Sequence, residues 1–168
     1  LKNLYLKSDE FFKKNKILSA NPGASEEKLD ANRRITAEIL RKKIKNQCIV
    51  SSVNNGSHIL GLSKNLKNPI FYGVYTKSKL AKSINSFALT EIKKRNKYKT
   101  LNLIKASDKE VIKGFHLLAK EGLFLDGSSS AIIGSLNQIK HKNICCVLSG
   151  AALNNLTEVQ KIISKMKN

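Results

Sequence analysis

The sequence predicts an α/β fold: three layers, with a mostly parallel sheet carrying helices on both faces. Three observations predict it. Short apolar runs rich in β-branched residues alternate with longer amphipathic stretches, the pattern of strands joined by crossover helices. The run Ile144-Cys145-Cys146-Val147-Leu148 contains no polar residue, as in a parallel strand covered on both faces. The helical stretches open on recognisable caps. Parallel strands end on one side of their sheet, and ligands bind in the crevice beyond those carboxyl ends.

Taken in order, the first helix spans roughly Glu26 to Lys45, with Ile35, Ile39, Leu40 and Ile44 facing inward at helical spacing. Cys48 to Val53 reads as a strand ending in the turn residues Asn54-Asn55-Gly56. Pro69 to Tyr75 is a second strand, with proline tolerated at its first position. The polar stretch from Lys77 to Lys99 is the least readable segment, and Leu101–Ile104 and Leu123–Leu125 are weaker strand candidates. Between those two, Ser107 and Glu110 form a Ser-x-x-Glu capping box. Val111, Ile112, Phe115, Leu118 and Ala119 then mark an inner helix face, and Gly122 is its stop. Ile144 to Leu148 reads as the most buried strand, and a last helix follows Asn155 and Glu158 with Val159, Ile162, Ile163 and Met166 inward.

A chain of 168 residues is long enough for one domain with its own core. No apolar run approaches the roughly 20 residues of a membrane helix, and no signal segment opens the chain, so the expectation is no membrane partner. The first residue is Leu1, which points to a mature product, a trimmed chain or a fragment. The formal charge is +19, and such a charge raises nucleic-acid binding as a function. Composition argues against it: the arginines are Arg33, Arg34, Arg41 and Arg95 only, and the dense stretch Lys93 to Lys99 holds a single aromatic, Tyr98. Phosphate and base recognition favours arginine and stacking aromatics. A basic, non-catalytic nucleic-acid module therefore stands as the alternative of another class. Cys145 and Cys146 are adjacent, on opposite faces of any strand, and Cys48 opens another run; no metal-ligand spacing occurs. The cysteines read as small buried hydrophobes in a reducing compartment, the cytoplasm, and no metal is expected.

Two strand-end loops carry candidate chemistry. Val53-Asn54-Asn55-Gly56-Ser57-His58-Ile59-Leu60-Gly61 leads from a strand into an apolar helix, a geometry that aims backbone amides at one point and suits a phosphate. Leu148-Ser149-Gly150-Ala151-Ala152-Leu153-Asn154 places a hydroxyl at a strand end, followed by residues small enough for a flat group to approach the backbone. Each by itself reads more simply as an ordinary turn.

In register, these segments resemble the pyridoxal-phosphate-dependent threonine synthase family, whose fold type is that of the tryptophan-synthase-β-like enzymes (fold type II). Val53 to Gly61 is similar to that group's V-G-N-G-G-N-I-L-G phosphate loop, and Leu148 to Asn154 to its T-G-x-G-L-K segment. Leu125-Asp126-Gly127-Ser128-Ser129-Ser130-Ala131 resembles its E-P-x-S-A-A stretch, and Asn21-Pro22 with Arg34 to Ile39 the stretch before the phosphate loop. The resemblance covers nearly the whole of residues 1–168 and makes them the C-terminal, cofactor-cradling portion of such an enzyme. It implies that pyridoxal 5'-phosphate is the cofactor, held at its phosphate by Asn54, Asn55, Gly56, Ser57 and His58, with Ser149 facing the ring nitrogen. Ser129 and Ser130 would lie near the site in a structural role.

The same resemblance implies a lyase acting on an amino acid, first of all O-phosphohomoserine to threonine plus phosphate. A sibling eliminating or replacing enzyme, such as a serine/threonine dehydratase or a cysteate synthase, is the alternative. It further implies an intact homodimer, and a Schiff-base lysine and substrate-carboxylate loop in an N-terminal portion whose motifs do not occur here. No catalytic residue is therefore nominated, and the chain alone is expected to be inactive. The departures are a loop with one glycine (Gly56) where the family has three, His58 where asparagine is common, Asp126-Gly127 for Glu-Pro, and Asn154 for lysine. A surface or packing role for His58 stays open beside phosphate contact.

Overall fold

The computed structural model describes residues 10–11, 14–15, 26–41, 48–53, 57–63, 70–81 and 101–150, together with 157, 160, 161 and 164. In chain order these form α1 (Glu26–Arg41), β1 (Cys48–Ser52), α2 (Ser57–Ser63), β2 (Ile70–Thr76), a 3-10 turn (Lys79–Ala81), β3 (Leu101–Ala106), α3 (Asp108–Lys120), α4 (Gly127–Gly134), a second 3-10 turn (Leu136–Gln138) and β4 (Ile144–Val147). The described strands pair in the order β3-β2-β1-β4, and every pairing is parallel. The predicted fold class, a three-layer α/β arrangement around a parallel sheet, is the one observed.

Strand order and helix placement explain one another. From β1 the chain steps outward to β2 and β3, then returns to place β4 on the other side of β1. With right-handed crossovers, that reversal sends the connecting helices to opposite faces. Ile49, Val53 and Phe71 accordingly pack with Leu29 of α1 and Ile59, Leu60 and Leu62 of α2. Cys48, Val50, Val74 and Ile104 pack on the opposite face with Val111 of α3 and Ala131 and Ile132 of α4. The period of two along each strand divides its residues between these two cores.

Helices α3 and α4 meet at unusually short range. A β-carbon added at Gly114 would overlap the Ser130 carbonyl, and one added at Gly134 would overlap the Glu110 carbonyl. The two contacts run in opposite senses along the helices, so α3 and α4 lie antiparallel with backbone against backbone.

Several expectations change. Strand β4 does not prove to be the most buried: its four residues are all half-buried, because it lies at the edge of the described sheet beside β1. Leu123 to Leu125 adds no strand to that sheet beyond a single bridge residue at Leu125, and Leu123 and Phe124 are exposed. Ala119 faces solvent although its spacing put it inside. Among the described side chains of α1, Leu29 is buried and Ile35 and Ile39 are half-buried; the Leu40 side chain and Ile44 lie outside the described residues. The inner face proposed for the last helix also lies outside them, while Thr157, Gln160, Lys161 and Ser164 are helical and exposed. Among the described residues no helix is long and apolar enough to cross a membrane.

Candidate functional site

The reversal of strand order makes β1 and β4 neighbours, with Ser51 opposite Val147. The chain therefore leaves the two strands at the same end of the sheet, side by side. This is the topological switch point, where sheets of this kind open a crevice. The hydrogen bond from Val53 N–H to the Val74 carbonyl (2.8 Å) extends the ladder one residue beyond β1.

The N-terminus of α4 closes over this end. Asp126 donates its backbone N–H to the Gly150 carbonyl at 3.1 Å. Its carboxylate accepts the Ser129 N–H at 2.9 Å, capping α4 in the manner favoured for aspartate. A β-carbon at Gly150 would overlap that carboxyl group, so the glycine is what lets the β4 turn lie against the cap. On the other side, the backbone of Gly127 abuts the Leu80 carbonyl of the turn after β2. That turn is secured in steps: Thr76 Oγ1 donates to the Ala106 carbonyl (2.7 Å) and accepts the Ser78 N–H (3.1 Å), and Ser78 Oγ accepts the Leu80 N–H (3.2 Å).

The nominated residues distribute as follows. Asn54, Asn55 and Gly56 lie outside the described residues. Ser57 is buried and opens α2, directly beyond β1. His58 is half-buried, and its Nδ1 lies 2.9 Å from Ser51 Oγ. Burial lowers the pKa of His58 below the usual imidazole value, so the ring is neutral at neutral pH. Ser149 is exposed at the end of β4. Ser129 and Ser130 are buried in α4, and Ser130 Oγ donates to the Asp126 carbonyl at 3.0 Å.

Two residues of this region escaped the sequence reading, Ser51 and Asp126. Ser51 is wholly buried in a run read simply as apolar strand. Its signal was a hydroxyl in that run, seven residues before a histidine. Asp126 appeared only as a departure from Glu-Pro, although an aspartate three residues ahead of a serine amide is a recognisable N-cap.

The two helix starts at this end differ in charge. The first turn of α2 contains no acidic residue and carries the buried Ser57 and the half-buried His58. The positive end of α4, by contrast, is already occupied by Asp126. The three thiols add no nucleophile: burial raises the pKa of Cys48 and Cys145, and pushes that of Cys146 up to about 11, whereas reactivity requires the thiolate.

No family model and no curated protein matches the sequence. Solved structures do match in fold. A hydrogen sulfide-producing enzyme from Fusobacterium nucleatum is 19% identical over 94% of this chain and 54% of its own, with a TM-score of 0.68. The processed form of threonine deaminase isoform 2 from Solanum lycopersicum is 14% identical, over 92% of this chain and 54% of its own, at 0.68. A serine racemase from Dictyostelium discoideum is 12% identical, over 88% and 57%, at 0.65. Such neighbours are fold type II pyridoxal-phosphate enzymes; at these identities the likeness is one of fold. The chain spans a little over half the length of each.

Proposed function

We propose that this chain is the cofactor-cradling, C-terminal portion of a pyridoxal-phosphate-dependent enzyme that eliminates or replaces a side-chain substituent of an amino acid. The observation that carries the reading is the adjacency of β1 and β4 at the switch point. It brings together the ends of the strands that lead into the segment resembling a phosphate loop and the segment resembling a ring-nitrogen turn. Ser57 and His58, with Asn54, Asn55 and Gly56, would hold the phosphate, and Ser149 would meet the pyridine nitrogen. The group, once bound, withdraws electrons from the substrate's α-carbon. A neutral hydroxyl at Ser149 exchanges one hydrogen bond with the nitrogen and does not hold it protonated as a carboxylate would. That favours elimination and replacement over transamination. The lysine that links cofactor to protein would come from a complementary N-terminal portion, and the intact enzyme would be a homodimer.

Two substrate readings are open to test. The loop motifs favour threonine synthase chemistry on a phosphohomoserine-like substrate. The solved neighbours, a threonine deaminase and a sulfide-producing enzyme among them, favour a sibling lyase on a hydroxyl- or thiol-bearing amino acid, and we place this second reading first. The test is to titrate the chain into pyridoxal phosphate and follow cofactor absorbance, with inorganic phosphate as competitor. Saturable, phosphate-competed binding that weakens in Ser149→Ala is expected. Absence of saturable binding, or tighter and salt-sensitive binding of single-stranded DNA instead, overturns the proposal. In the intact enzyme, release of keto acid rather than phosphate would decide between the two substrates.

A further inference from the structure

We propose that Ser51 is a positioning residue that fixes His58 as a hydrogen-bond donor to a phosphate ester, an inference that rests on the function proposed above. Ser51 lies in β1 on the face that carries Ile49 and Val53, and no part of it reaches solvent. A hydroxyl so placed costs roughly 1–3 kcal/mol if it has no partner. Its partner is Nδ1 of His58 in the first turn of α2, 2.9 Å away. The bond thus joins a wholly buried hydroxyl of the strand to the second residue of α2.

The chemistry of the ring makes this more than packing. In a neutral imidazole one nitrogen carries the proton and the other accepts. Burial keeps His58 neutral. A serine hydroxyl can donate to Nδ1 or accept from it; in the proposed arrangement Ser51 O–H donates, which leaves the imidazole proton on Nε2. The two nitrogens occupy opposite edges of the ring. With Nδ1 held by Ser51 of the strand, Nε2 is the ring nitrogen left to meet a ligand. A proton-bearing Nε2 donates to a phosphate oxygen; the other tautomer would present a lone pair and repel it. Ser51 touches no ligand in this account and acts through His58.

The experiment uses the 15N-labelled chain. It has three histidines, and the signals lost in His58→Asn identify the imidazole in question. At neutral pH, His58 is expected as the Nε2–H tautomer, and as a mixture in Ser51→Ala. The chain is then titrated with pyridoxine 5'-phosphate, which lacks the aldehyde, and with pyridoxine. Ser51→Ala and His58→Phe are expected to weaken the ester about tenfold, the worth of one hydrogen bond to a charged group, and to leave pyridoxine unchanged. His58→Asn, which keeps an N–H donor, is expected to retain the ester, and Ser51→Ala is expected to cost nothing further in that background. A wild-type His58 found as the Nδ1–H tautomer overturns the inference without any variant. Equal ester binding by wild type and Ser51→Ala overturns it while leaving the proposed function intact. A wild type that binds neither compound overturns both.

Discussion

Helices α3 and α4 pack against each other, yet they are specified in opposite ways. Helix α3 carries its instructions in its own sequence. Ser107 and Glu110 exchange bonds across its first turn, Ser107 N–H to Glu110 Oε2 at 2.8 Å and Glu110 N–H to Ser107 Oγ at 3.3 Å. Gly122, with φ at +73°, supplies the left-handed residue after its end. Val111 and Leu118 are buried, while Lys113 and Leu117 on the far side are exposed. Helix α4 has almost none of this. All but one of its eight residues are buried, three of them serines, which are neutral to poor in helix interiors. Its stability comes from what surrounds it: backbone contacts at Gly114, Gly134 and Gly127, and the Asp126 cap, itself wedged against Gly150. One helix is made by local chemistry, and the other by fit.

The largest effect that would break this contrast is at Gly114. Helix propensity alone gives Gly→Ala about 1 kcal/mol of stabilisation. Because the added carbon meets the Ser130 backbone carbonyl rather than a movable side chain, Gly114→Ala is expected to destabilise by about 2–3 kcal/mol, as overpacking does. Urea denaturation measures the sign directly. Unchanged or raised stability would show that α3 and α4 do not touch at backbone range.

A middle-sized effect sharpens the comparison at the site. Asp126→Ala removes the α4 cap and is expected to cost about 1 kcal/mol. Gly150→Ala in the wild-type background should cost more, about 2 kcal/mol, through overlap with the Asp126 carboxyl. In the Asp126→Ala background the added methyl has room, so the second cost should shrink by about 1 kcal/mol or more, the coupling expected of residues in contact. Additive costs would mean that the β4 turn and the α4 cap are independent.

The same contrast explains what could be read from the sequence. Strands β1 and β2 were legible to within a residue or so because β-branched runs bounded by turn residues are local signals. So were the Ser107–Glu110 box and the Gly122 stop. The apolar run of β4 was legible as a strand, but its half-burial was not: edge or centre is decided by strand order, which no local pattern encodes. Ala119 sat at the right spacing and still faced solvent, since the arc that α3 buries is set by how closely α4 approaches. At the candidate site, strand polarity sufficed to place Ser57, His58 and Ser149 at one end of the sheet. That β1 and β4 are neighbours, and that Ser51 faces His58, required the fold.

The smallest effect tests the local half of the contrast. Burial by itself would raise the pKa of Glu110, but hydrogen bonds from the Ser107 backbone and from the side chains of Gln138 and Ser107 outweigh it and hold the carboxyl below its usual range. A carboxyl whose folded pKa lies below its unfolded one stabilises above the unfolded value, and that contribution disappears as pH falls through the folded value. Glu110→Gln keeps the shape of the box and loses the charge. It is expected to cost about 0.5 kcal/mol at neutral pH, small because the group is partly solvated, and nothing once the wild-type carboxyl is protonated below its folded pKa. Ser107→Ala, which removes the cap itself, should cost about 1 kcal/mol. Both values stay well under that of Gly114→Ala if α3 is secured turn by turn. A cap deletion as costly as the glycine substitution would mean that α3, too, is held from outside, and that its capping box merely accompanies a helix the sheet would enforce regardless.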